Sequence, residues 1–182
     1  MFFYSYIILW ILVTALTLST IVIIRKITPA KPRLEMDDEG LGRGSTVPII
    51  KFKSLSKKTV NLIEPTKSGT LVIYLSINCS ACSNVLAYLS TYIKTHNDVS
   101  VVVFMRGENE REILQKTGDL INYVPIILLT DEYIESFKIS LFPFAYFLSS
   151  KGIVLEKGGV PAGKTHLELL TRLAQSGSKL AS

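Results

Sequence analysis

The sequence predicts an α/β domain built on a mixed central sheet with helices on both faces, preceded by an N-terminal edge hairpin and a single transmembrane helix. Three observations predict it. Residues 1–24 carry no charged side chain. From residue 47 onward, β-branched runs alternate with segments of helical spacing. The only two cysteines, Cys79 and Cys82, fall where the first long apolar run gives way to a helical pattern. At 182 residues the chain can hold one domain of ordinary size beside a membrane segment. The expected division is an anchor over 1–26, a linker over 27–46 and an α/β domain over 47–182.

The first stretch, "MFFYSYIILWILVTALTLSTIVII", is long enough at about 1.5 Å per residue to cross a hydrocarbon core of about 30 Å. Tyr4, Tyr6 and Trp10 lie toward one end, where amphipathic rings favour the headgroup zone, and Arg25 and Lys26 stop the other. A cleaved signal would show a basic start, a shorter apolar run and a small-residue cleavage site. A buried core helix would need neighbours on every face. The anchor reading is preferred to both. Residues 27–46 then carry two prolines, three glycines and mixed charge, the composition of a linker.

"VPIIKFKSL" and "KKTVNLIE", separated by a polar turn, predict an edge hairpin. "GTLVIYLSI" reads as a strand buried on both faces. "SNVLAYLSTYIKTH" has helical spacing through Val85, Leu86, Leu89, Tyr92 and Ile93. "DVSVVVFM" is a second buried strand, and "ENEREILQKTG" a polar helix closed by Gly118. "YVPIILLT" predicts a short strand and "DEYIESFKI" a helix. "FPFAYFLSS" and "IVLEKGG", joined by "KG", predict a hairpin. "THLELLTRLAQ" closes the chain as an amphipathic helix, with Leu167, Leu170 and Leu173 on one side. Strand-to-helix crossovers make part of the sheet parallel, and the last hairpin adds antiparallel strands.

The formal net charge is +5, but the basic residues are scattered, with Lys57 and Lys58 the densest pair in the body. No basic stripe interleaved with aromatics is present, so a solvated basic surface is expected and nucleic acid is not a partner. Two cysteines one helical turn apart tie no distant elements together, which excludes a disulfide-stapled scaffold.

At a strand-to-helix junction, the Cys79 sulfur can lie beside free backbone N–H groups and the positive end of the helix dipole. That setting can lower a thiol pKa from about 8.5 toward neutrality, making a nucleophile. Cys82, one turn further on the same face, is near enough to attack a mixed disulfide formed at Cys79. Two other readings of the pair are half of a zinc site and buried bystanders. A zinc site would need two more ligands from His96, His166 or carboxylates, which show no ligand spacing. Redox chemistry is the preferred reading; no metal and no cofactor is expected.

The "YLSINCSAC" motif at the end of the first long strand, with "SLFPFAYFLSSKGIVLEKGG" some way downstream, resembles the thioredoxin fold. The apolar "YIILWILVTAL" ending in "IIRKI", then "GLGRGSTVP", is similar to the membrane-anchored TlpA-like group and in particular to the MauD family of methylamine-utilisation accessory proteins. The resemblance implies Cys79 as exposed nucleophile, Cys82 as resolving thiol, and Pro143 as a cis-proline facing the pair. It further implies that the backbone beside Phe142 pairs with an extended substrate segment, with the Phe142 ring covering apolar side chains. Without the resemblance, Pro143 would read as a trans proline opening an edge strand. The sequence departs from the wider pattern by having Asn78 before the first cysteine and Ser80-Ala81 between the pair, so no strongly oxidising potential is implied.

The positive-inside rule applied to Arg25, Lys26, Lys31 and Arg33 would put the body in the cytoplasm. The resemblance implies the opposite, and a single-pass protein of the cell membrane with an extracytoplasmic redox domain is expected. The expected function is a thiol-disulfide oxidoreductase acting on exported client proteins with cysteines and reset by an external electron-exchange partner. A non-catalytic adaptor using the same groove is the alternative. A peroxidase is the weaker third, because no Pro/Thr arrangement to polarise a peroxide precedes Cys79.

Overall fold

The computed structural model of the chain describes residues 2–27 and 39–180, with side chains of residues 2, 5, 21–27 and 178–180 left aside. Most of the linker expected over 27–46, residues 28–38, lies outside the described residues. The chain divides into two compact units, Met1–Arg33 and Leu34–Ser182.

The first unit contains one helix, α1 (Phe2–Ile27), and each of its described side chains is exposed. Among the described residues no helix is long and apolar enough to cross a membrane.

The second unit holds β1 (Lys51–Lys53), β2 (Thr59–Asn61), β3 (Gly69–Ser76), α2 (Ser80–Thr95), β4 (Val99–Arg106), α3 (Glu110–Thr117), a 3-10 turn (Gly118–Asn122), β5 (Ile126–Leu128), α4 (Asp131–Phe137), β6 (Phe144–Leu148), β7 (Val154–Gly159) and α5 (Lys164–Leu180). The five-stranded sheet has the order β5-β4-β3-β6-β7. Its β3–β4 and β4–β5 pairs are parallel, whereas β3–β6 and β6–β7 are antiparallel.

Side-chain alternation divides β3 and β4 between two cores. Leu71, Ile73, Leu75, Val101, Val103 and Met105 face one, and Val72, Tyr74, Val102 and Phe104 face the other. A continuous apolar run therefore serves both faces. The first core is closed by Val85, Leu89 and Tyr92 of α2, Ile113 of α3, and Leu167, Leu170 and Ala174 of α5. The α5 stripe differs from the expected one: Thr171 and Ala174 are buried, and Leu173 is only half-buried. The buried positions 167, 170, 171 and 174 follow the helical repeat more closely than a strict three-residue step does.

The second core is closed by Phe137 of α4 and by Val47, Phe52 and Leu62 from the start of the domain. The β1–β2 hairpin forms its own two-stranded sheet instead of an edge of the main one. It is held by Leu55 N–H donating to the Ile126 carbonyl at 2.8 Å and by Phe52, whose ring meets Phe104 edge-on at 4.8 Å. Burying that phenylalanine contributes about 2 kcal/mol. Asn109 caps α3 by accepting from Glu112 N–H at 3.0 Å, and Gly118 ends it. Residues 44–47, read as linker and domain start, run along β7: Gly44 N–H donates to Val154, Thr46 bridges to Ile153, and Val47 N–H donates to Gly152.

Candidate active site

All of β3 except its last residue is buried. Its parallel pairing continues one residue further, where Ile77 N–H donates to the Arg106 carbonyl at 3.0 Å. There the chain turns, and Cys79 takes an extended conformation (φ −101°, ψ 116°) immediately before α2. Its Sγ accepts from Cys82 N–H at 3.2 Å, so a sulfur performs the capping usually done by a serine or aspartate oxygen. An anionic sulfur there is met by that N–H and by the helix N-terminus.

Cys82 lies in the first turn of α2 and is 1% exposed, whereas Cys79 is half-buried. Both are free. Ser76 N–H donates to Cys82 Sγ at 3.5 Å. Burial, and after it the hydrogen bond to Cys79, push the Cys82 thiol up to about 12.

The loop before β6 brings the third element. The Phe142–Pro143 bond is cis, and the Phe142 carbonyl accepts from the Cys79 thiol at 3.7 Å across 63 residues of chain. Phe142 is half-buried and Pro143 buried, with the Pro143 carbonyl accepting from Val160 N–H at 3.0 Å. The β7–α5 loop reaches α2 through Gly163, where φ is +54° and a Cβ would lie 3.0 Å from the Asn84 carbonyl. A side chain there is both strained and obstructed by backbone.

The four site residues expected from the sequence, Cys79, Cys82, Phe142 and Pro143, are thus in one place. Ser76, Val160 and Gly163 complete the arrangement and carried no sequence signal, since each acts through its backbone. The two histidines lie in other settings: His96 stacks on Tyr92 and meets Glu168 at 3.3 Å, and His166 accepts from Ala162 N–H. Among the described residues no cluster of three or more His, Cys, Asp or Glu could hold a metal ion.

A mixed five-stranded sheet, helices on both faces, a Cys-x-x-Cys at the start of the helix after its central strand and a cis-proline opposite define a thioredoxin-like fold. Solved structures with that fold match the chain. The thioredoxin domain of a thiol-disulfide oxidoreductase from Bacteroides vulgatus aligns with a TM-score of 0.59 at 20% identity, over 71% of this chain and 99% of that one. A thiol:disulfide interchange protein from Bacteroides sp. aligns with a TM-score of 0.57 at 21% identity, over 72% and 91%. A secreted Mycobacterium tuberculosis disulfide oxidoreductase aligns with a TM-score of 0.57 at 14% identity, over 69% and 94%. At these identities the likeness is one of fold. No protein-family model and no curated protein matches the sequence.

Proposed function

We propose that the chain is a membrane-anchored thiol-disulfide oxidoreductase that acts on exported proteins through its Cys-Ser-Ala-Cys motif, as a maturation factor in the manner of MauD-like accessory proteins. One observation carries the reading: a half-exposed sulfur, Cys79 Sγ, sits at a helix N-terminus with a buried thiol one turn behind and the Phe142 carbonyl beside it.

In the reducing direction, the Cys79 thiolate attacks one sulfur of a client disulfide. The client S–S bond breaks, its leaving sulfur takes a proton, and a mixed disulfide joins Cys79 to the client. Cys82 then loses its proton and attacks Cys79 Sγ. The second client thiol leaves, the pair is left as a disulfide, and two electrons have passed to the client. An external thiol partner restores the pair, and the same steps reversed oxidise a client. The Phe142–Pro143 backbone would pair with an extended client segment, and the Phe142 ring would cover its apolar side chains.

The uncharged run of residues 1–24 supports a single-pass anchor, and so do the exposed apolar side chains described on α1, which a non-aqueous neighbour would cover. Disulfide exchange has its use where disulfides persist, outside the cytoplasm. Expressing the full chain as Cys82→Ser in intact cells tests function and orientation together. Mixed disulfides to exported proteins, lost on reduction, and labelling of Cys79 by a membrane-impermeant thiol reagent are expected. Trapped cytoplasmic proteins, or a Cys79 reached only after lysis, would reverse the orientation; no trapped protein at all would favour an adaptor.

A further inference from the structure

The loop between α4 and β6 must hold the Phe142 carbonyl beside Cys79, yet little of what fixes it comes from the loop itself. Lys138 ends α4 in the left-handed region (φ 53°), and Ile139 N–H donates back to Ile134 at 2.9 Å. On the sheet side Val160 holds Pro143. The remaining support comes from the start of the domain, about a hundred residues earlier in the chain.

Tyr146 of β6 is wholly buried, and its hydroxyl makes two bonds. It donates to the Phe137 carbonyl at 2.7 Å and accepts from Leu41 N–H at 2.7 Å. Beside it, the Ser140 hydroxyl donates to the Glu39 carboxylate, and Lys157 Nζ donates to the Glu39 carbonyl at 2.6 Å. Gly40 permits this approach: its φ is +75°, and a Cβ would fall 2.1 Å from the Tyr146 hydroxyl oxygen. Residues 39–41 therefore form a strap across the end of α4 and the loop leading to Phe142, anchored on a hydroxyl that also holds the last residue of α4.

We propose that Tyr146 is a positioning residue for client binding, and that the Glu39–Leu41 strap, acting through Tyr146 and Ser140, sets the Phe142–Pro143 backbone against which a polypeptide client pairs. The proposal rests on the oxidoreductase reading and goes beyond it, because it separates docking of a polypeptide from the sulfur chemistry. Cys79 is placed by β3 and α2, whereas the strap's hydrogen bonds described above run to Tyr146, Ser140 and Lys157. A small disulfide needs only that sulfur, whereas an extended peptide also needs the loop backbone. Tyr146→Phe keeps the ring, with its edge-on contacts to Tyr74 and Phe144, and removes only the clamp.

The test uses the full chain in detergent with two substrates: insulin as the polypeptide disulfide, turned over with dithiothreitol as the reductant that resets the pair, and dithiobis(nitrobenzoate) as the small one, followed as a single turnover of pre-reduced protein freed of reductant. Tyr146→Phe is expected to raise KM for insulin at least about fivefold, with kcat and the small-disulfide rate within about twofold of wild type. Ser140→Ala, at an exposed position that carries no folding risk, is expected to move KM in the same direction by a smaller factor. Variants that lose thermal stability but keep the insulin-to-small-disulfide ratio, or that slow both substrates equally, overturn the proposal while the oxidoreductase reading stands. If Tyr146→Phe fails to fold, an unchanged KM in Ser140→Ala overturns it. A wild type inert toward both disulfides overturns the oxidoreductase reading and the strap proposal with it.

Discussion

Replacing Cys79 with serine is expected to lower turnover of a polypeptide disulfide by about 10³-fold or more, because no other group can form the first bond to the client sulfur. Cys82 cannot take over. It is 1% exposed, behind Cys79, and its sulfur is engaged by Ser76 N–H within the first core. Cys82→Ser should fail at a different step. Its Cys79 still attacks, so one equivalent of client is consumed at a rate close to wild type, and the mixed disulfide then persists until an added thiol releases it. Stopped-flow measurement of the first turnover, beside steady-state turnover with insulin, separates the two variants. A Cys79→Ser protein within about tenfold of wild type would refute the assignment of nucleophile.

The second large effect is the pH dependence of Cys82. A raised pKa favours the protonated form, so Cys82 gains thiolate only as pH climbs toward about 12. At pH 7.5 only on the order of 10⁻⁴ to 10⁻⁵ of such a thiol is ionised. In folded Cys79→Ser protein the hydrogen bond to Cys79 is lost but burial, the larger cause, remains, so alkylation of Cys82 by iodoacetamide should stay slow at neutral pH. It should rise about tenfold per pH unit between about 7 and 10, and become fast once the chain is denatured. Resolution of the mixed disulfide should steepen with pH in the same way, because burial keeps the Cys82 thiol protonated. Rapid labelling of Cys82 at pH 7.5, or a plateau below about pH 9, would contradict this account of its burial.

What could be read from the sequence was whatever a local pattern encodes. β3, α2 and the cysteine pair at their junction were legible because a buried β-branched run stops and helical spacing begins at Cys79. The final hairpin was legible from two apolar runs and a Lys-Gly turn. The short strand expected within "YVPIILLT" is β5, of which Ile126–Leu128 pair with β4. The 3-10 turn at Gly118–Asn122 lacks any periodicity and was not anticipated. The hairpin read as a sheet edge is a separate two-stranded sheet, in which Phe52 pairs with Val60 and turns its ring into the second core. Pro143 illustrates the limit most clearly. Its cis bond came from resemblance alone, and the place of the preceding Phe142 carbonyl beside Cys79 depends on a fold that joins residues 63 apart. The Leu41–Tyr146 contact spans 105 residues and had no counterpart in any local pattern.

The central claim is that Cys79 and Cys82 act as a single two-electron couple. It is tested most directly by equilibrating the full chain in glutathione buffers of graded redox ratio, quenching with acid and weighing the protein. The account predicts one transition in which the chain loses two hydrogens, forming a Cys79–Cys82 disulfide that reopens fully when the ratio is reversed. A stable glutathione adduct on Cys79 that Cys82 never displaces, or two thiols unchanged across the whole range, would contradict it.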